Sequence, residues 1–281
     1  LLVKDLNQKI CIVTGANSGI GYAVTKGLLQ RGARVIMACR NAKRANEAQL
    51  RLMNETGSSD LEMIVCDLSL KKSVQNFVNE FKAKHQKLDI LCQCAGNISF
   101  SRTETSEGIE SNFATNVLGP HYLSKLLVPL FSKDQPCHII NIAGEFHRLF
   151  KLDFKDLFYK KSFNPLRVGS VSMLERIMLT YAMADELKTT NISVNCFHPG
   201  NVKTEMMDKL PSLLRPLSRL LGPFQISPEE GADTCLWLVT QKVSGKYFIK
   251  RQEVSSSKAS YDKEAQKKLH DICEQLLNER T

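Results

Sequence analysis

The chain has 281 residues, 43% of them hydrophobic and 24% charged, with a formal net charge of +9. That is enough apolar material for one full α/β core, and no apolar run reaches the ~18 residues of a membrane-spanning helix. The basic excess suits a solvated surface, or attraction to an anionic cofactor or a membrane surface. Nucleic acid is excluded as a partner, because no stacking aromatics are interleaved with the basic residues. No signal peptide is legible, and the opening Leu1-Leu2-Val3 lacks a methionine, which leaves an upstream anchor open. Nine cysteines, an odd number without a pairing framework, point to a reducing compartment. The expected location is therefore the cytoplasm or the cytosol-facing periphery of a membrane.

The first element is an apolar strand, Ile10-Cys11-Ile12-Val13, followed by Thr14-Gly15-Ala16-Asn17-Ser18-Gly19-Ile20-Gly21 and a helix over Tyr22 to Arg31. Strand, glycine-rich turn and helix together make a phosphate site. The glycines permit the tight turn, the close approach to a pyrophosphate and the packing of helix on strand. The helix N-terminus then offers unpaired N–H groups and a positive dipole end. A second strand, Ala33 to Cys39, ends at Arg40. In such βαβ units that strand end meets the adenosine ribose. An acidic residue there would take the 2′-hydroxyl of NAD, whereas a guanidinium suits a 2′-phosphate. NADP(H) is therefore preferred over NAD(H).

A polar helix follows over Ala42 to Glu55, then a strand, Leu61 to Cys66, ending in Asp67-Leu68-Ser69. Asp67 is placed to cap the next helix, Leu70 to His85. Strand four, Leu88 to Gln93, leads into Cys94-Ala95-Gly96, and a long helix spans Asn112–Phe131. Strand five, His138 to Ile142, continues Ala143-Gly144-Glu145-Phe146-His147. After a basic connector, a helix runs from Ser170 to Leu187. Strand six, Ile192 to Phe197, leads into His198-Pro199-Gly200-Asn201-Val202-Lys203-Thr204. A leucine stripe at Leu213, Leu214, Leu217, Leu220 and Leu221 lies in a lobe over 203–226. It reads as a wall for a lipophilic small molecule, a peripheral membrane contact or a core-facing stripe. Ser227-Pro228-Glu229-Glu230 opens another helix, Gly245 to Ile249 is a last strand, and a charged amphipathic helix covers about 260–279. The whole reads as a single α/β domain, a doubly wound Rossmann-type parallel sheet of about seven strands with helices on both faces.

The spacing G-x-x-x-G-x-G with its leading Thr14, the run Asn112-Phe113-Ala114-Thr115-Asn116-Val117-Leu118-Gly119, and Pro199-Gly200 before Val202 and Thr204 resemble the short-chain dehydrogenase/reductase family. The resemblance is strongest to its retinol-dehydrogenase-like branch. It implies a cofactor cradle of Gly15, Asn17, Ser18, Gly19, Ile20, Gly21, Arg40, Asp67, Ala95, Gly96, Pro199, Gly200, Val202 and Thr204. Asp67 would meet the adenine amino group, and Asn116 would hold a helix kink and a water of the proton relay. It also implies a homo-oligomer built on the two long helices. The family's catalytic serine and Tyr-x-x-x-Lys, however, fall on Gly144, Gly169 and Met173. None of these can transfer a proton or donate a side-chain hydrogen bond. Tyr22 and Lys26 have the right spacing on the wrong helix. Two readings follow: a cofactor-binding pseudoenzyme, or an active NADPH-dependent oxidoreductase on a retinoid, steroid or other lipophilic carbonyl or alcohol. The second needs a substitute acid from Ser170, Ser172, Glu145, His147 or Tyr159.

Overall fold

A computed structural model describes residues 4–202 and 225–279. Their strands are β1 (Ile10–Thr14), β2 (Arg34–Cys39), β3 (Leu61–Val65), β4 (Ile90–Gln93), β5 (Cys137–Ile142), β6 (Ile192–His198), β7 (Tyr247–Ile249) and β8 (Gln252–Glu253). They form one sheet in the order β3-β2-β1-β4-β5-β6-β7-β8, parallel throughout except for the antiparallel β8. The expected count of about seven is corrected by β8, two exposed polar residues too short to carry an apolar pattern.

Alternate residues of the strands feed opposite faces, as the two-residue period of a strand requires. Cys11, Val13, Val35 and Met37 pack under α1 (Gly19–Gln30), α2 (Ala42–Thr56) and α7 (Pro228–Leu238), through Leu28, Leu52, Ala232 and Leu238. Ile12, Ile36, Leu91 and Val194 face α3 (Lys71–Lys84), α5 (Gly119–Leu127) and α6 (Pro165–Glu186), through Phe77, Phe81, Leu127 and Met183. A satellite core joins Phe113, Leu174 and Met178 to Leu269 and Cys273 of the C-terminal helix α8 (Lys263–Asn278).

Helix boundaries shift where caps decide them. Ser227 and Glu230 make a complete capping box, as the sequence predicts. α6 begins at Pro165 rather than near Ser170, because the Asn164 side chain accepts from Arg167 N and proline is favoured in a first turn. The long helix expected over Asn112–Phe131 is broken into α4 (Ser111–Phe113), a π segment (Ala114–Leu118), α5 and a 3-10 turn (Val128–Leu130). α8 lies against both helices expected to form an oligomer face: Leu174 and Met178 of α6 share its core, and Lys125 and His121 of α5 bond to its Glu274.

Candidate functional site

The chain runs outward from β1 in both directions, so the order reverses between β1 and β4. Loops leaving the carboxyl ends of strands at such a switch point frame a ligand crevice. Gly15 has φ +67°, and a Cβ on it would lie 2.9 Å from Ala95 Cα. A Cβ on Gly21 would run into the Gly15 carbonyl, lying 2.8 Å from its carbon, so α1 sits directly on its own loop. Gly19 also has positive φ, +54°. Ser18 precedes α1 in extended conformation without capping it, and the first turn has no acidic residue. The leading N–H groups are thus unspent by the protein, which is what a pyrophosphate requires. Asn17, Ser18 and Ile20 are half-buried around them.

The other cradle residues lie on neighbouring loops. Ala95 N donates to Thr14 Oγ1 at 3.1 Å, joining the β4 loop to β1. Gly96, next to it, is exposed. Gln93, by contrast, turns inward and donates to Pro120 O and Ser124 Oγ. Arg40 is exposed at the end of β2. Asp67 stands at the end of β3, where its Oδ1 accepts from Ser69 N and Oγ. It does not cap α3. That role is taken by Glu107, whose Oε2 accepts from Lys71 N at 3.0 Å. Pro199 and Gly200 follow β6. Gly200 has φ +89°, and Val202 pairs with Ile226. A Cβ on Gly231 of α7 would lie 2.5 Å from Val202 and 3.5 Å from Ile20, so this turn reaches the glycine loop. Thr204 and the leucine stripe fall outside the described residues.

Asn116 sits in the π segment. Its Oδ1 accepts from Asn97 N and its Nδ2 donates to Asn97 O, both at 2.7 Å, clamping the loop after Gly96. The structure brings Gly144 and Met173 together: a Cβ on Gly144 would overlap Met173 Sδ and lie 3.0 Å from Cε. Gly169, one turn before Met173 on α6, has no heavy atom within 4 Å of where its Cβ would be. A thioether therefore packs against Gly144, and the space beside Gly169 is open.

The substitute acids are mostly committed elsewhere. His147 is buried, with Nδ1 against Gly144 O at 2.7 Å and Nε2 accepting from Ser257 N at 3.0 Å. Both nitrogens are engaged, and burial pulls its pKa below the ordinary value. Glu145 accepts from Tyr247 and Arg148. Ser172 Oγ donates to Gly169 O and accepts from Asn116 Nδ2. Tyr159 is buried against Phe163, and burial pushes its phenol far above the usual range. Ser170 Oγ is buried without a partner, but no base activates it. Tyr22 and Lys26 both bind Glu55, a surface network unrelated to the site.

Two buried charges escaped the sequence reading because nothing in their spacing marks them. Arg176 of α6 donates from Nη2 to Ala95 O at 3.0 Å, and burial lowers its pKa to about 10. Glu175 is buried, and desolvation, reinforced by Glu110, raises its carboxyl well above the usual range. It is held neutral.

Comparison with known proteins settles the lineage. The family model described as short chain dehydrogenase matches residues 9–147. Retinol dehydrogenase 14 of Mus musculus is 34% identical over 97% of this chain and 86% of its own length. The chain belongs to the short-chain dehydrogenase family, in its retinol-dehydrogenase-like branch. The human WW domain-containing oxidoreductase is 32% identical over 99% of this chain and 70% of its own length. Among solved structures, the Pseudomonas aeruginosa RhlG/NADP active-site complex aligns with a TM-score of 0.70 at 24% identity, covering 88% of this chain and 96% of that one. No helix among the described residues is long and apolar enough to cross a membrane.

Proposed function

We propose that this protein binds a nicotinamide dinucleotide, NADP(H) in preference to NAD(H), and does not carry out its family's hydride transfer. The cradle residues fit the cofactor: the start of α1 is uncapped and acid-free, and Gly15 and Gly21 let the loop pack tightly on Ala95 and on itself, which holds that helix start at the crevice. Gly15 to Gly21 would hold the pyrophosphate, Arg40 the 2′-phosphate, Asp67 the adenine, and Ala95, Gly96, Pro199, Gly200, Val202 and Thr204 the nicotinamide end. The bound cofactor would supply a hydride. The chain's own part in the family reaction, moving a proton to the substrate oxygen and stabilising charge there, lacks its groups.

The observation that carries the reading is Met173 packed onto Gly144, with Gly169 open beside it. The positions that should hold an oxyanion donor and a tyrosine-activating ammonium are instead one apolar contact. A single positioned acid contributes about 10²–10⁴ in rate, and here no group replaces it.

Titration of the purified protein with NADPH, followed by nicotinamide fluorescence, tests the reading when retinal and small carbonyls are added to the same cuvette. Saturable binding tighter for NADPH than for NADH, without turnover, is the expected result. Turnover abolished by Ser170→Ala would establish the enzyme reading instead. Absence of binding would reduce the fold to an interaction scaffold.

A further inference from the structure

Away from the cofactor crevice, on the outer side of α5, three metal-ligating side chains meet that the cofactor reading does not use. They are His121 of α5 and His270 and Glu274 of α8. One donor atom from each lies within 4.8 Å of the others. His270 and Glu274 are four residues apart and share one face of α8, while His121 comes from the facing helix. His121 Nε2 and Glu274 Oε1 are 3.2 Å apart. A tetrahedral zinc ion with bonds of about 2.0–2.1 Å sets its donor atoms about 3.3–3.4 Å apart. The two imidazole rings meet edge to face at 5.3 Å.

We propose that His121, His270 and Glu274 bind a zinc-class divalent metal that staples the C-terminal helix to α5, with solvent supplying the fourth ligand. The side chains grade from inside to outside: His121 is 3% exposed, Glu274 23% and His270 31%. The ion thus has an anchor in the core and an entry path from water. The surroundings match what metal-bound imidazoles need, a partner for the nitrogen that does not ligate. Asp271, which accepts from Lys267 Nζ at 2.7 Å, stands 3.8 Å from His270 Nδ1, close enough to act through its charge and not as a direct hydrogen bond. His121 Nδ1 is buried without a partner and lines a small polar cavity together with Gln93 and Asn141. Gln93 Oε1 and Asn141 Oδ1 are themselves buried acceptors without donors. An N–H at His121 Nδ1, relayed by a water in that cavity, satisfies both sides and leaves Nε2 for the metal. The opposing feature is Lys125, which donates to Glu274 Oε2. It occupies the second carboxylate oxygen, so the metal must replace the His121 Nε2–Glu274 Oε1 hydrogen bond, which sets the affinity below that of an unopposed site. Two histidines and one carboxylate favour zinc over magnesium or calcium, which take oxygen ligands.

The test uses the full chain, stripped with a chelator and titrated with Zn²⁺ alone, with binding read by calorimetry and thermal unfolding. One equivalent should bind, and the unfolding temperature should rise with free zinc, because only the folded state brings the helices together. Co²⁺ should give tetrahedral ligand-field bands. His270→Ala, at the most exposed ligand and therefore fold-preserving, should remove the bands and weaken zinc by at least about 100-fold. Asp271→Asn should weaken it roughly tenfold. NADPH binding should be unchanged in both variants. Absence of a zinc-dependent shift overturns the site. So does stoichiometric binding that survives His270→Ala, which would assign the metal to the free thiols.

Discussion

The glycine loop and the β5–α6 junction both depend on glycines, and what stands against those glycines differs. At Gly15 and Gly21 the walls are backbone, Ala95 Cα and the Gly15 carbonyl, which no rotamer change can move. At Gly144 the wall is the flexible end of Met173, and at Gly169 there is no wall within reach. Packing against backbone admits no Cβ. Packing against a side chain can yield. On the proposed function, the cofactor half rests on glycines that cannot be replaced, while at the β5–α6 junction Met173 packs against Gly144.

The largest way to break that contrast is to refill the catalytic half. The combined variant Gly144→Ser, Gly169→Tyr, Met173→Lys should gain NADPH-dependent carbonyl reduction by at least about 10²-fold over the parent, the contribution of one positioned acid. Gly144→Ser alone should gain nothing and should lower stability by about 1–3 kcal/mol, because the new side chain meets Met173. A steady-state assay and a thermal melt check both. Gly21→Ala attacks the other half. Its Cβ would press on the Gly15 carbonyl, so fluorescence titration should show NADPH binding lost and unfolding should show about 1–3 kcal/mol of destabilisation.

How far the contrast was legible in sequence differs between the halves. The strands announced themselves as apolar runs, and the glycine loop with Arg40 and Ala95-Gly96 stood at strand ends where the topology then placed them. The glycines and methionine at the positions where the resemblance expects serine, tyrosine and lysine were legible too, because the sequence itself carries them at fixed spacing. What filled the space was not: Met173 reaches Gly144 only through the tertiary packing of α6 on β5. Nor was the loss of His147 as an acid legible, since its partner Ser257 N lies 110 residues away. The π segment around Asn116 and the Glu107 cap on α3 were missed for the same reason. Both depend on contacts with distant backbone, including Asn97 and Lys71, that no local pattern encodes.

Smaller effects sharpen the picture. His147→Ala should cost about 1–3 kcal/mol, by leaving the Ser257 N–H unpaired, without altering cofactor affinity. The folded protein keeps His147 neutral and its pKa lowered. The unfolded chain therefore takes up the proton first as pH falls below about 6.5. The stability that His147 supplies is complete above that pH and declines below it, and urea melts across the acid range should show a shallower slope in the variant. Arg40→Ala should weaken NADPH by about tenfold, or 1.4 kcal/mol, and leave NADH unchanged. Equal losses for both cofactors would remove Arg40 from the 2′-phosphate.

The most direct test of the central claim is a single-turnover experiment with the protein in excess over NADPH and retinal added, following the nicotinamide absorbance. The account predicts that the cofactor is bound and that its absorbance stays flat at the rate of a protein-free control, whereas the triple variant decays. A first-order loss of NADPH in the unaltered protein, faster than the control and dependent on retinal, would contradict it.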